Sequence, residues 1–306
     1  METGLIGLGK MGFNLALQMA DKGHRVIVYN RSPEKTKKAA EQGLEGAFSL
    51  PELTARLAPP RTIWLMLPAG PPVEEILSAL VPLLAPEDTI IDGGNSDYRD
   101  TLRRARDLQA KGINLVDAGT SGGTEGARRG ACLMVGAAKE VFGRLEPLFR
   151  DLSVPGGCLH TGPPGSGHFI KMVHNGIEYG MLQAIGEGFE LLARGPFALN
   201  LPEIARVWEH GSVIRGWLME LTARALAKDP RLEKIKGIVH SSGEGRWAVE
   251  TALALGTPAP VTAAALFQRY RSEQEESFAG KVVAALRHEF GGHAVEPAGS
   301  FEHAQR

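Results

Sequence analysis

The chain has 306 residues, of which 43% are hydrophobic and 23% charged, as in an ordinary globular protein. Its net charge of −1 provides no general attraction for polyanions, so nucleic-acid binding is not expected. The two cysteines, Cys132 and Cys158, are too few for a disulfide framework and lie in no metal-ligand cluster, so no metal is expected. Because a basic leader and an apolar run of roughly 18 residues are both lacking, the sequence predicts a cytoplasmic protein that does not enter a membrane.

The first half of the chain predicts a Rossmann-like domain, because short apolar runs alternate with amphipathic stretches. Strands are expected at residues 4–8, 25–30, 62–67, 89–92 and 114–118, and helices at 11–22, 33–42, 73–84 and 101–111. Near-continuous apolar strands separated by helices are typical of a doubly wound parallel sheet covered on both faces. We therefore predict an α/β domain over residues 1–164, with candidate edge strands at 132–136 and 157–160.

The second half predicts an all-α domain over residues 165–293. Residues 168–194 contain no proline and place apolar residues at helical spacing, which indicates one long interdomain helix. Further helices are expected at 202–208, 214–228, 247–255, 262–271 and 277–290. Residues 294–306 have the character of a frayed tail.

A glycine-rich turn follows the first predicted strand and opens the first predicted helix. Gly7, Gly9 and Gly12 fit the pattern GxGxxG, with Lys10 and Met11 inside it. In that pattern the first glycine permits the turn, the second lets the backbone approach a pyrophosphate, and the third lets the helix pack on the strand. The helix N-terminus favours negative charge. The sequence therefore predicts a dinucleotide-binding site rather than an ordinary glycine turn.

The end of the second predicted strand bears on the choice of cofactor. NAD sites usually place an acidic residue there, but this strand ends in Asn30, Arg31 and Ser32. The Arg31 guanidinium can stack on adenine and pair with a 2′-phosphate. We predict NADP as the cofactor, with NAD as the alternative; a solvated arginine at a strand end would be the simpler interpretation of Arg31.

A stripe of polar residues lies on the long predicted helix. Lys171, His174, Asn175 and Glu178 are spaced i, i+3, i+4 and i+7, so they share one face. Lys171 and Glu178 are roughly 10 Å apart along the axis, a span that suits a six-carbon sugar acid between a base and an acid. The stripe could also be a solvated face with an ordinary ion pair. Asn and His are poor formers of surface helix, and this favours the functional interpretation.

Two loops follow consecutive predicted strands at the edge of the sheet where ligands bind. Asn95, in the first loop, offers both a donor and an acceptor. In the second loop, Ser121 and the backbone N–H groups of Gly122 and Gly123 could form an anion nest for a carboxylate. Either loop alone could be a mere turn, but the pair favours a binding site.

The combined motifs resemble the 6-phosphogluconate dehydrogenase family, in the short bacterial form. The matching segments are GLIGLGKMGFNLA, IIDGGNSDYRDT, GTSGGTEGARRG, GSGHFIKMVHNGIEYG and, near the end, LRHEFGGH. The resemblance implies oxidative decarboxylation of a phosphorylated sugar acid, 6-phosphogluconate, to ribulose 5-phosphate. It also implies that Lys171 is the general base at the C3 hydroxyl and that Glu178 is the acid that protonates C1 of the enediol. Lys171 would start neutral, a form that burial favours.

The resemblance also implies the remaining site residues. Substrate contacts correspond to Asn95 (which also borders the cofactor), Ser121, Gly122, Gly123, His174 and Asn175. Tyr179 and Arg215 correspond to phosphate contacts, and Arg287 and His293 to a pair that reaches the phosphate from a partner subunit, implying a homodimer or homotetramer. Where longer relatives have a Lys and a Thr near the phosphate, this sequence has Ser242 and Glu244.

Two alternatives remain open from the sequence. One is a related β-hydroxyacid dehydrogenase of the 3-hydroxyisobutyrate or tartronate semialdehyde type, which shares the glycine turn and the lysine but does not need Glu178, Arg215, Arg287 or His293. The other is a non-catalytic dinucleotide sensor, which would tolerate the loss of Lys171.

Overall fold

The computed structural model describes residues 1–297 of the chain. Its strands are β1 (Glu2–Ile6), β2 (Arg25–Tyr29), β3 (Glu45–Gly46), β4 (Thr62–Leu65), β5 (Thr89–Asp92), β6 (Asn114–Ser121), β7 (Ala131–Gly136) and β8 (Ser153–Gly162). Its helices are α1 (Lys10–Asp21), α2 (Pro33–Ala40), α3 (Leu50–Ala55), α4 (Pro71–Leu80), α5 (Tyr98–Gln109), α6 (Gly123–Arg129), α7 (Lys139–Asp151), α8 (Ser166–Arg194), α9 (Leu201–Glu209), α10 (Trp217–Lys228), α11 (Glu244–Ala254), α12 (Pro260–Ser272) and α13 (Phe278–Gly291).

The strands form one eight-stranded sheet in the order β3-β2-β1-β4-β5-β6-β7-β8. Pairing is parallel from β3 to β6 and again between β7 and β8, whereas β6 and β7 are antiparallel. The strand order reverses between β1 and β4, and in such sheets ligands bind at the carboxyl ends of the strands at this point. The predicted doubly wound α/β domain followed by a helical one is confirmed, with one antiparallel step that the apolar pattern did not reveal.

The sheet is buried on both faces because successive strand residues point to opposite sides. Leu5 and Trp64 pack into one apolar core, which α1 and α7 cover. Ile6 and Ile63, their neighbours in sequence, pack into a second core with residues from α3, α4 and α5. Two-sided burial explains why these strands contain almost only apolar residues, without the alternation of a half-exposed sheet.

Several elements differ from the sequence-based expectation. The short β3 and α3 and the helices α6 and α7 were not predicted. The elements β3, α3 and α6 are too short for a clear periodic pattern, whereas the apolar residues of α7 do stand at helical spacing, a signal that the sequence-based expectation missed. The strand expected at 114–118 extends to Ser121 as β6. Gly119 to Ser121 therefore belong to the sheet, and the predicted loop is reduced to the turn at Gly122 and Gly123.

The chain folds as two compact units. Of the described residues, the first unit contains 1–178 and 247–256, and the second contains 179–246 and 257–297. In the second unit, Met219 and Leu226 of α10 pack with Ala205 of α9 in a small apolar core. Within residues 1–297, no helix is long and apolar enough to cross a membrane. Of the predicted tail, residues 298–306 lie outside the described part of the chain.

Candidate active site

The glycine turn has the conformation and the clearance that a pyrophosphate requires. Gly7 is at φ +103°, in the region that glycine adopts readily, and its N–H donates to the Tyr29 carbonyl at 2.9 Å. A Cβ at Gly12 would lie 2.0 Å from the Gly7 carbonyl oxygen, so only glycine lets α1 pack this closely. A Cβ at Gly9 would meet no heavy atom of the described chain within 4 Å, so this backbone faces open space. The turn therefore fits a dinucleotide.

A cleft of about 490 Å³ adjoins this turn and is rich in lysine. It is lined by Leu8, Gly9, Lys10, Phe13, Asn14, Lys35, Lys38 and Thr124. Three ammonium groups beside a helix N-terminus favour an anionic ligand. Thr124 belongs to α6, so the loop after β6 borders the cleft.

The residues after β2 have different roles. The Asn30 side-chain oxygen accepts from the Leu8 N–H at 2.9 Å, and the Asn30 N–H donates to the Thr36 hydroxyl at 3.2 Å. Asn30 therefore holds the glycine turn against the end of β2. Arg31 and Ser32 are exposed, at the start of α2.

A buried carboxylate shapes the loop after β5. Asp92 accepts from the Gly94 N–H at 3.1 Å and from the Ser96 hydroxyl at 2.7 Å, and Arg104 donates to it at 3.3 Å. These three bonds fix the loop on both sides of Asn95, whose side chain is exposed. Asn95 is therefore presented at the carboxyl edge of the sheet, where the sequence predicted it.

Glycines allow the long helix α8 to lie directly against the sheet. A Cβ at Gly119 of β6 would lie 2.6 Å from the Lys171 Cβ, and one at Gly167 would lie 2.4 Å from the Met134 carbonyl oxygen. Larger residues at either position would push α8 away. The two glycines therefore fix how close Lys171 lies to the end of β6.

Asp117, near the middle of β6, anchors the start of α8. One carboxylate oxygen accepts from the Gly165 N–H at 2.6 Å and the other from the His168 N–H at 2.7 Å. These bonds satisfy two N–H groups that helix geometry leaves without a partner. Burial raises the pKa of Asp117, and the charge of His168 and the two N–H bonds counteract that rise only in part.

The predicted polar stripe on α8 is a connected cluster centred on His174. Its Nδ1 lies 3.4 Å from the Lys171 Nζ, 3.0 Å from the Asn175 Oδ1 and 3.9 Å from a Glu178 carboxylate oxygen. Its Nε2 lies 3.1 Å from the Ser121 hydroxyl at the end of β6. Lys171 is only 6% exposed, whereas the side chains of His174 and Glu178 are 38% and 42% exposed. The cluster therefore contains an enclosed amine and an accessible carboxyl.

A second group of polar residues surrounds Tyr179, which is buried. The Arg269 guanidinium carbon lies 3.3 Å from the centroid of the Tyr179 ring, and the Tyr179 hydroxyl lies 3.5 Å from the Ser241 hydroxyl. Ser242 donates to the buried Glu244 carboxylate, which is thereby held by its own loop. Arg269 was not predicted as a site residue. It lies 90 positions after Tyr179 on an ordinary amphipathic pattern, and no sequence spacing connects the two.

The other predicted phosphate contacts lie on exposed segments. Arg215 is in the loop before α10, where its guanidinium donates to the Ser212 carbonyl at 3.4 Å. Arg287 and His293 are exposed at the end of α13, and the His293 carbonyl lies 2.9 Å from the His288 Nδ1. Their roles stay predictions. In the described part of the chain, no cluster of three or more His, Cys, Asp or Glu could hold a metal ion.

The strand order and the glycine turn define a Rossmann-type dinucleotide-binding protein. The family model described as the NAD binding domain of 6-phosphogluconate dehydrogenase matches residues 2–162, and the one described as its C-terminal domain matches residues 167–299. The chain belongs to the 6-phosphogluconate dehydrogenase family. The family resemblance and the expectation of an NAD(P) cofactor are thereby confirmed.

Individual relatives agree with this family. The chain is 54% identical to YqeC of Bacillus subtilis (strain 168), provisionally named a 6-phosphogluconate dehydrogenase, over 97% of this chain and 99% of that protein. It is 40% identical to the NAD(+)-dependent, decarboxylating 6-phosphogluconate dehydrogenase of Haloferax volcanii, over 96% and 98%. Among solved structures, Plasmodium falciparum 6-phosphogluconate dehydrogenase, studied with NADP+ and with 6-phosphogluconate, matches with a TM-score of 0.83 and 31% identity. That match covers 97% of this chain and 67% of the Plasmodium chain.

Proposed function

We propose that this chain catalyses the oxidative decarboxylation of 6-phospho-D-gluconate to D-ribulose 5-phosphate and CO2, with reduction of NADP or, as the alternative, NAD. The observation that carries the proposal is the continuity of the cofactor cleft with the lysine cluster. Thr124 lines the cleft, Ser121 lies three residues before it, and the Ser121 hydroxyl contacts His174 beside Lys171. The turn between β6 and α6 therefore connects the lysine-lined cleft to the cluster that contains the enclosed amine.

The residues of the cluster suit the three chemical steps. Bound NAD(P)+ supplies the hydride acceptor for C3. Lys171, nearly enclosed by the protein, takes the C3 hydroxyl proton. As the C–C bond to the carboxyl group breaks and CO2 leaves, protonated Lys171 returns a proton to the C3 oxygen, which gives the enediol. Glu178, two turns further along α8, donates a proton to C1 of the enediol.

We place the substrate phosphate near Tyr179 and Arg269. A guanidinium stacked on a buried tyrosine is held in one orientation, and its remaining N–H groups can bind phosphate oxygens. Ser241 adds a hydroxyl donor beside the Tyr179 hydroxyl. The Ser242 bond to Glu244 turns this carboxylate toward its own loop, which reduces the repulsion expected of an acid near a phosphate.

We also propose that the chain works as a homodimer or homotetramer. Ile170, Val173, Ile177 and Met181 form an apolar stripe along α8 and are 36%, 43%, 59% and 50% exposed. A stripe of this kind on a long helix is typical of a surface that pairs with another chain. Light scattering on the purified protein tests this, and a monomer at micromolar concentration would contradict it.

The function is tested by incubating the purified chain with 6-phosphogluconate and each nicotinamide cofactor. Reduced cofactor, CO2 and ribulose 5-phosphate should form in equal amounts. Lys171→Met should abolish turnover and leave cofactor binding intact, whereas Lys111→Met, at an exposed turn, serves as the matched control. If 3-hydroxyisobutyrate or tartronate semialdehyde is a better substrate than 6-phosphogluconate, the chain is instead a related β-hydroxyacid dehydrogenase.

A further inference from the structure

His174 lies close to both Lys171 and Glu178, the two groups that must exchange a proton after each turnover of the proposed reaction. We propose that His174 is a proton carrier, which resets the site after each turnover by moving a proton from Lys171 to Glu178. The inference rests on the proposed function, since it follows from the roles of Lys171 as base and Glu178 as acid.

The need for a reset follows from counting protons through the cycle. Lys171 takes the C3 hydroxyl proton as hydride leaves C3, and returns a proton to the C3 oxygen when the C–C bond to the carboxyl group breaks. In the last step Glu178 gives a proton to C1 of the enediol, while Lys171 again takes the proton from the enediol hydroxyl that becomes the ketone. The cycle therefore ends with Lys171 protonated and Glu178 ionised, the reverse of its start.

The two groups are poorly placed to exchange this proton on their own. They are separated by two helical turns, roughly 10 Å of rise along α8. Lys171 is 6% exposed, so bulk water has little access to its ammonium group, whereas the Glu178 side chain is 42% exposed and within reach of solvent. The step that limits the return of the proton to Glu178 is therefore its release from the Lys171 ammonium group.

His174 lies on the path between them. The Lys171 Nζ lies 3.4 Å from the His174 Nδ1, and the same Nδ1 is 3.9 Å from the Glu178 carboxylate. In the transfer an Nζ–H bond breaks and an Nδ1–H bond forms; that Nδ1–H bond then breaks as an O–H bond forms on Glu178. Charge and protons balance without any other reactant.

The surroundings of the ring suit the protonated intermediate of this transfer. Imidazolium has two N–H donors, and each ring nitrogen faces a side-chain oxygen. The Ser121 hydroxyl lies 3.1 Å from Nε2, and the Asn175 Oδ1 lies 3.0 Å from Nδ1.

The test compares the first turnover with the steady state in rapid-mixing experiments that follow the reduced nicotinamide. In His174→Gln, which keeps a polar group of similar reach but cannot carry a proton, the lost substrate contact should slow the first turnover, but several times less than the steady state. The steady-state rate should fall tenfold or more, and this produces a burst of one reduced cofactor per site. Millimolar imidazole should restore the steady-state rate and remove the burst.

Asn175→Ala is the matched control, because Asn175 contacts the same ring nitrogen but cannot carry a proton. Because the Asn175 Oδ1 also faces the protonated ring, this variant should slow the steady state somewhat more than the first turnover, but far less than His174→Gln does, and without a response to imidazole. Ser121→Ala provides a second probe that leaves His174 in place: by removing the partner of Nε2, it should slow the steady state more than the first turnover.

Two results would overturn the inference: an equal loss in both phases of His174→Gln, which would mean that His174 only positions substrate, or a steady state that imidazole does not restore. Failure of the proposed function looks different. In that case wild-type protein itself would form no reduced cofactor from 6-phosphogluconate.

Discussion

The second and third glycines of the turn can be separated experimentally, because Gly9 and Gly12 are required for different reasons. A Cβ at Gly12 would lie 2.0 Å from the Gly7 carbonyl oxygen and 2.9 Å from the Met66 Cβ, whereas ordinary contacts begin at 3.4 Å. In Gly12→Ala, α1 must therefore move from β1 by roughly 1 Å or more. Overpacking of this kind costs about 1–3 kcal/mol of unfolding free energy.

For Gly9→Ala we expect the opposite result, with stability retained and cofactor binding weakened. The Gly9 backbone is at φ −71°, which alanine adopts without strain, and its Cβ would meet no atom of the described chain within 4 Å. We expect the stability of this variant to stay within about 0.5 kcal/mol of wild type, as at ordinary surface positions. The added methyl group occupies the space into which a pyrophosphate would approach, so cofactor affinity should fall at least tenfold.

Urea unfolding followed by circular dichroism measures the first quantity, and calorimetric titration with NADP and NAD measures the second. The reasoning is refuted if Gly12→Ala is as stable as wild type. It is equally refuted if Gly9→Ala binds both dinucleotides with unchanged affinity, because the open space at Gly9 would then not be the pyrophosphate site.

Three further changes test other parts of the site. Arg31→Ala should weaken NADP at least tenfold more than NAD in a binding titration, with Lys37→Ala as control; equal effects would remove the arginine from 2′-phosphate recognition. Arg269→Gln should raise KM for 6-phosphogluconate tenfold or more while leaving cofactor affinity unchanged, and an unaltered KM would exclude the proposed phosphate subsite. Asp117→Asn should cost about 1–3 kcal/mol, since one amide oxygen cannot replace two acceptors. Burial raises the pKa of Asp117 in the folded state, so the stability that Asp117 contributes is greatest at low pH and is lost as the pH rises through that pKa. The difference in Tm between wild type and Asp117→Asn should therefore become smaller as the pH rises. A Tm difference that does not change with pH would contradict this.

Local patterns in the sequence were sufficient for much of the fold and part of the site. The glycine turn was predictable because three glycines at fixed spacing between a strand and a helix each have a known steric role in a dinucleotide-binding turn. The grouping of Lys171, His174, Asn175 and Glu178 was predictable because residues three, four and seven apart share a helix face. The antiparallel step between β6 and β7 was not, because apolar runs carry no information about strand direction.

By itself the sequence therefore determined the features that depend on local spacing: most of the strands and helices, the glycine turn and the polar face of α8. The tertiary structure alone decided which distant groups meet that face. Ser121 reaches His174 across 53 positions, Asp117 caps α8 from 48 positions away, and Arg269 covers Tyr179. The physical reason is that such contacts depend on how closely whole helices and strands pack. Here glycines such as Gly119 and Gly167 set that distance, because a side chain at either position would collide with the neighbouring element. These neighbours are distant in sequence, so the need for glycine is visible only in the folded structure.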